Sequence, residues 1–335
     1  MVEIFAGEQT IMRKLFAHAL VFVALATMAQ ISALAAEWSP TRPIRVLVPF
    51  APGGGGDLIA RLVGPELADR LGQSVVIDNR PSAGGIVGTE MAAHAAPDGH
   101  TLLVALSNHI ANPWFVAKLP YDAIKDFTPI TLAVIAPMVM VVHPSLPAAN
   151  LREFIAYTKA HPGKLNFGIA GAGGAPHLAG ELVKSMAGVK MEHIVYKGLA
   201  PMINAVLGNE VQLTFGNIFV MQPHVRGGRL RALGITSLNR SEAAPDWPTI
   251  AESGLPGYEA SDWYGFLAPA RMPSQIVTRL NREITTIVRG PQVKQTIVTR
   301  GGEVVANTPD EFAKFLRDSM ARLGRLVKEA GLKPE

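Results

Sequence analysis

After residue 40 the chain repeats one order of events: a short apolar or β-branched run, a turn of small residues, then a stretch with helical periodicity. Ile44 to Val48 passes through "APGGGGD" into a predicted helix over Leu58 to Leu71. Val75 to Ile77 passes through Ser82-Ala83-Gly84-Gly85 into Ile86 to Ala95, and Thr101 to Ala105 leads into Ser107-Asn108. Lys164 to Ile169 passes through Gly171 to Gly174 into His177 to Met186, and Met191 to Tyr196 through Lys197-Gly198 into Pro201 to Leu207. Strands alternating with helices specify an α/β fold with mostly parallel sheets.

Helix ends are written into the same stretches. Thr308-Pro-Asp-Glu311 reads as a capping box with proline at the first helical position, and Gly331 is placed to close that last helix. Asn150-Leu-Arg-Glu153 offers a similar start for a helix to Ala160. Gly64-Pro65 sits inside the Leu58 to Leu71 helix, where proline removes a hydrogen bond, so a kink or an early end is expected there.

Glycine is costly to order, so four in a row at Gly53 to Gly56 need a reason. At the carboxyl end of a strand and the start of a helix, glycines let several N–H groups point one way. The positive end of the helix dipole adds to them, and the result is an anion site that needs no cationic side chain. The plain alternative is a tight turn with Asp57 as N-cap. Three such turns, counting Gly84-Gly85 and "GIAGAGGAPH", favour a site, because ligands of open α/β sheets bind where these turns converge. Gly54 is expected at positive φ. Neither glycine run completes G-x-G-x-x-G, since Leu58 and Pro176 stand at the third glycine position. Gly163-Lys164 is followed by leucine rather than Ser or Thr, and no G-x-S-x-G occurs. A small carboxylate is then the natural guest.

The first residues read as a targeting segment: Arg13-Lys14, an apolar run from Leu15 to Ala29, and Ala33-Leu34-Ala35 before a cleavage point, giving a signal peptide over 1–35 with Met12 as a candidate start. The residues from Ala36 to Glu335 suffice for two domains at about 150 residues each. With 48% apolar and 17% charged residues they can build a sizeable core, and no second stretch is long enough to cross a membrane. An exported, soluble protein is expected. The absence of cysteine excludes disulfides, thiolate metal sites and lipid attachment at an N-terminal Cys. The 31 Lys and Arg against 27 Asp and Glu are scattered without basic runs, which argues against nucleic acid. His177 and Glu181 stand four apart on a predicted helix, but no further ligands follow at diagnostic spacing, so no metal site and no cofactor is expected. His109 is a candidate pocket residue, although a lone histidine is more often structural. Trp263-Tyr264 is either a ligand-facing aromatic pair or core.

Domain boundaries are expected at "PMVMVVHP", 137–144, and at "SDWYGFLAPA", 261–270. They make residues 36–140 plus 261–335 one domain and 141–260 the other, joined by a hinge of two crossovers. No repeat of fixed period is visible.

The segments "RPIRVLVPFAPGGGGDLIARL", "VVIDNRPSAGGIVGTEMAAHAAPDGHTLLVA", "NPWFVAKLPYDAIKDFTPI", "HLAGELVKSMAGVKMEHIVYKG" and "LRALGITS" with "PDWPTIAESGLPGYE" follow one another in an order that resembles the Bug-type solute receptors of tripartite tricarboxylate transporters. The likeness runs from about Pro40 to Leu332. It implies a two-domain periplasmic binding protein of type II, a Venus flytrap whose cleft closes on a small carboxylate held by backbone N–H groups and ordered waters, with no catalysis. By position, Ala51, Gly53, Gly54 and Gly55 would form the first cradle. Ala170, Gly171, Gly174 and Ala175 would form the second clamp with Tyr196 beside it, and Asn108 would come from the third strand's loop. Gly216 and Asn217 stand where the family often carries Asp-Asn, and they complete the expected ligand contacts. Ala170, Ala172 and Ala175 replace hydroxyls common in that clamp. The expected ligand is therefore a small mono- or dicarboxylate with an apolar body, ahead of amino acids and citrate. The expected partners are integral membrane transporter subunits, and a monomer is expected. A periplasmic sensor subunit and an exported carboxylate enzyme are the competing readings. The second needs convergent acid, base or metal ligands where the turns offer mainly Gly, Ala and Asn.

Overall fold

The computed structural model describes residues 37–171, 173–196 and 199–329. The signal peptide, the Lys197-Gly198 turn, Ala172 and the closing Gly331 lie outside the described residues. The chain divides into two units, Met1–Ser39 and Pro40–Glu335, and the architecture below is that of the second.

In chain order, β1 (Ile44–Val48) leads to α1 (Gly55–Leu71), β2 (Val75–Asn79) through a 3₁₀ turn at Ala83–Gly85 to α2 (Ile86–Ala93), and β3 (Thr101–Leu106) to α3 (Asn108–Phe115). Strands β4 (Phe127–Ala136) and β5 (Met138–Val142) flank Pro137. There follow α4 (Leu151–Ala160), β6 (Asn166–Ile169), α5 (Ala175–Ala187), β7 (Glu192–Val195), α6 (Leu199–Leu207), β8 (Leu213–Asn217), α7 (Ile218–Arg226) and β9 (Arg231–Ile235). The chain ends with β10 (Asp262–Pro269), α8 (Ser274–Arg289), α9 (Pro291–Thr299), β11 (Glu303–Val304) and α10 (Pro309–Glu329).

Two sheets result, ordered β11-β4-β10-β3-β1-β2 and β7-β6-β8-β5-β9. They are mixed, not mostly parallel. Strand β1 runs parallel to β2 and β3, and β6 parallel to β7 and β8. Strand β10 runs antiparallel to β3 and β4, and β5 antiparallel to β8 and β9. The reason is the path between sheets. A helical crossover returns a strand parallel to its predecessor, whereas β5 and β10 each enter from the other sheet with no helix between.

The run at 137–144 is a strand rather than an extended connector: only Pro137 separates the sheets, and Met138–Val142 is buried at every position. A strand covered on both faces reads as continuous apolar sequence, so the run marks the domain boundary without showing the period-2 alternation of a half-buried strand. Likewise Asp262–Pro269 pairs in the middle of the first sheet, and the second crossing ends at Ser261.

Each sheet has its own core. Leu47, Leu103, Trp263, Leu267 and Phe312 pack in the first, and Met140, Phe154, Phe167, Phe215 and Tyr258 on one face of the second. Helix α1 runs uninterrupted through Pro65, against the expectation of a kink or early end. Its buried stripe of Ile59, Val63, Leu67 and Leu71 holds it to the sheet, and packing outweighs one missing hydrogen bond. The caps form as the sequence specifies. Thr308 Oγ1 accepts from Glu311 N–H at 3.3 Å while Glu311 Oε2 accepts from Thr308 N–H at 2.9 Å, and Asn150 Oδ1 accepts from Glu153 N–H at 3.0 Å.

Candidate functional site

The loops β1–α1 and β6–α5 share one backbone design. In the first, Gly53 bends at φ +88°, Gly54 is the extended N-cap (φ −78°, ψ 173°), and Asp57 in the first turn accepts the Gly53 N–H at 2.9 Å. In the second, Gly173 bends at φ +71°, Gly174 is the extended N-cap (φ −71°, ψ 165°), and His177 Nδ1 accepts the Gly173 N–H at 3.0 Å. A repeat invisible in the sequence is thus present in the backbone. Two expectations change. Gly54 does not have positive φ; Gly53 does, and Gly54 matters only for the space beside it, where a Cβ would meet nothing nearer than Ala51 O at 3.7 Å. Asp57 is not the N-cap, because the helix begins two residues before it, and its carboxylate instead ties the bend from inside the first turn.

In each loop one glycine N–H is committed to holding the bend. The amides that follow, Gly54 to Gly56 and Gly174 to Ala175, have no intrahelical carbonyl to receive them. They sit at the positive ends of two helix dipoles, a recurring anion-binding arrangement. Burial by itself would raise the Asp57 pKa, but bonds from the Arg61 guanidinium, the Gly53 amide and Asn79 hold it below the ordinary carboxylate range. The bend is therefore tied by a charged acceptor.

A cavity of about 320 Å³ opens between these loops. It brings together Gly53, Gly54, Gly55, Ala175, Gly216 and Asn217 of the expected contacts. Ala51, Asn108, Ala170, Gly171, Gly174 and Tyr196 are not among the residues lining it. Asn108 and Asn112 both donate to Gly84 O, so they fasten the neighbouring turn. Tyr196 and Ala170 pack against the apolar cluster around Met202 and Val206. Asn217 caps α7, accepting the Phe219 N–H at 3.3 Å.

Several lining residues carried no sequence signal. Met138, Leu199, Phe215, Phe219 and Val220 make the walls apolar. Tyr264 stands behind Gly55, where any Cβ would collide with its hydroxyl, and its Oη donates to Asp262 Oδ2 at 3.2 Å. Asp262 Oδ1 also accepts the Trp263 N–H at 2.9 Å and the Ser107 N–H at 3.4 Å. Burial raises the Asp262 carboxyl above its ordinary range despite these donors, and burial with the adjacent Asp262 carries the Tyr264 phenol well above its own. Arg300, at the end of α9, brings a cation to the rim with its guanidinium 5.5 Å from the Phe219 ring centre. The glycine turns contain no arginine, but the assembled cavity has one, Arg300, and a buried acid, Asp262.

Trp263 and Tyr264 part company, since alternate residues of a strand face opposite sides. Trp263 stacks edge-on with Phe312 and Phe315 in the core. His109 is also core: its Nε2 lies 2.8 Å from Ala123 O, its ring contacts Tyr121 and Phe127, and burial lowers its pKa to about 4. His177 is lowered to about 4 by burial, with His193 and Lys184 adding repulsion.

The family model described as "Tripartite tricarboxylate transporter family receptor" matches residues 59–332. Protein BugT of Bordetella pertussis is 36% identical over 324 residues, covering 96% of this chain and 99% of that one. Among solved structures, R. palustris Rpa4515 with adipate aligns with a TM-score of 0.80 at 33% identity, covering 88% of this chain and 99% of that one. MatC (Rpa3494) from Rhodopseudomonas palustris with bound malate aligns at 0.76 and 32% identity, covering 86% and 99%.

Proposed function

The chain belongs to the tripartite tricarboxylate transporter receptor family, and from that premise we propose that it is a periplasmic receptor that captures a small carboxylate between its two sheets and delivers it to integral membrane transporter subunits. The observation that carries this reading is the pair of matched helix N-termini facing one apolar-walled cavity. One carboxylate lies against the amides of Gly54, Gly55 and Ala175. A carboxylate held this way exchanges water for charge-assisted hydrogen bonds at a site already polarised for it. The apolar walls take the ligand's body, and Arg300 at the rim meets a second carboxylate. The ligand class is therefore a mono- or dicarboxylate with an aliphatic or aromatic body, with dicarboxylates bound more tightly. The adipate and malate seen in two relatives belong to that class.

The protein performs no catalysis in this reading. Asp262 has its oxygens engaged by Ser107, Trp263 and Tyr264, and among the described residues lining the cavity no second carboxylate and no histidine accompanies it. The lobes are built on the two sheets, so the first boundary falls at Pro137, a few residues before the expected 140, and the second before Asp262, and the lobes close by rotation about those two connections. A thermal-shift screen over small carboxylates, confirmed by calorimetry, tests the proposal, since ligand raises apparent stability by mass action. Adipate, malate or a near analogue should shift the melting temperature and bind one to one. Selective response to sugars or cationic amino acids, with none to carboxylates, would reject it.

A further inference from the structure

Behind the second glycine loop three side chains converge, of which the carboxylate site uses only His177, through its Nδ1. His177 and Glu181 stand one turn apart on α5, and His193 faces them from the edge strand β7. Glu181 Oε1 lies 3.9 Å from His177 Nε2 and 3.7 Å from His193 Nδ1, and one ligand atom from each residue lies within 4.8 Å of the other two. Among the described residues no other trio of His, Asp or Glu meets in this way. His177 and Glu181 are almost fully buried, and His177 Nε2 has no hydrogen-bond partner. A buried ring nitrogen left unpaired calls for an explanation.

We propose that His177, Glu181 and His193 form a transition-metal site suited to Zn²⁺. Two imidazoles and one carboxylate are a borderline donor set, and three protein ligands leave a fourth tetrahedral position for water. Bonds of about 2.0–2.1 Å put tetrahedral ligand atoms about 3.3 Å apart, so Glu181 Oε1 closes on the two imidazole nitrogens from 3.9 and 3.7 Å, and those nitrogens, within 4.8 Å of each other, close through side-chain rotation of the half-buried His193. The ammonium of Lys184 now lies 2.8 Å from Glu181 Oε1 and supplies the positive charge that a buried carboxylate needs. The ion takes over that role. The Lys184 and His193 side chains are both partly exposed, so the ammonium has a way out and the metal a way in.

Occupation has a consequence for the loop above. His177 Nδ1 accepts the Gly173 N–H, which places the ring proton on Nε2. A metal on Nε2 moves that proton to Nδ1, and two donors then face each other where a hydrogen bond was. The bend at Gly173 loses its tie, so metal and an intact second loop exclude one another.

The test is a calorimetric titration of chelator-treated protein with Zn²⁺ alone, without carboxylate. One equivalent should bind, and Co²⁺ in its place should give the visible absorption of a tetrahedral site. His193→Ala should weaken Zn²⁺ by at least about tenfold. If circular dichroism shows that variant unfolded, Lys184→Met decides, because removing the competing ammonium must tighten binding and misfolding cannot mimic a gain. Failure of the wild type to bind Zn²⁺ overturns the proposal. So does affinity unchanged in folded His193→Ala, or, where Lys184→Met decides, no gain in that variant. The link to the loop rests on the carboxylate reading: saturating Zn²⁺ should weaken carboxylate binding about fivefold, the worth of one hydrogen bond. The Zn²⁺ titration needs no carboxylate, so failure of the metal site and failure of the transport reading are told apart.

Discussion

Replacing Gly54 with valine separates the loop's binding role from its structural one. At φ −78° and ψ 173° the backbone accepts any residue, and a Cβ would meet only Ala51 O at 3.7 Å. The fold has little to lose. Valine is a poor N-cap compared with glycine, at a cost of about 1 kcal/mol or less, and the stiffer unfolded chain returns about 0.4–1 kcal/mol. Binding has much to lose, because the side chain enters the cavity where a carboxylate must approach the Gly54 and Gly55 amides. A hydrogen bond to a charged group contributes about 1.5–3 kcal/mol, so one lost bond weakens affinity on the order of 30-fold and two on the order of a thousandfold. Calorimetry with the best carboxylate from the screen measures the loss, and thermal melting measures the fold. Gly55→Ala is the contrasting variant. Its Cβ runs into the Tyr264 hydroxyl and must displace the Tyr264–Asp262 bond, so stability as well as affinity should fall, by about 1–3 kcal/mol. Wild-type affinity in a well-folded Gly54→Val protein would refute the reasoning and reduce the loop to a turn.

Arg300→Gln should weaken a dicarboxylate about tenfold while leaving the monocarboxylate of the same length unchanged; equal losses for both in calorimetry would remove Arg300 from ligand recognition. Small-angle scattering should show a smaller radius of gyration at ligand saturation, and an unchanged profile would reject a closing cleft. Stability should fall as pH drops from about 6.5 towards 4, because the unfolded chain takes up protons that buried His109 and His177, both lowered to about 4, do not accept in the fold. Below about 4 a further loss follows as Asp57, held low by Arg61 and the Gly53 amide, is protonated. A melting temperature constant between pH 6.5 and 4.5 would contradict the first of these two steps.

The sequence was most legible where a short signal has one structural meaning. The Thr308 and Asn150 caps, the strand-turn-helix order and the glycine loops each rest on contacts within a few residues. It was least legible where meaning depends on partners far along the chain. Five apolar residues at Met138–Val142 mark a domain boundary, but their place as a central strand depends on neighbours far along the chain. Asp262, Tyr264 and Arg300 reach the cavity from elements distant from every glycine turn, so the absence of arginine in the turns said nothing about the walls. His193 completes the trio on His177 and Glu181 only because β7 pairs with β6 beside α5, a register no local spacing encodes. The repeat of the two loops lies in dihedral angles, with Asp57 and His177 playing one role through different chemistry.

The most direct test of backbone capture is to titrate the isotopically labelled protein with the best carboxylate and follow its amide resonances. Gly54, Gly55 and Ala175 amide protons should move downfield most, while those of Gly53 and Gly173, already bonded to Asp57 and His177, should move little. Small changes at Gly54, Gly55 and Ala175, with the largest shifts elsewhere in the chain, would contradict a carboxylate held at paired helix N-termini.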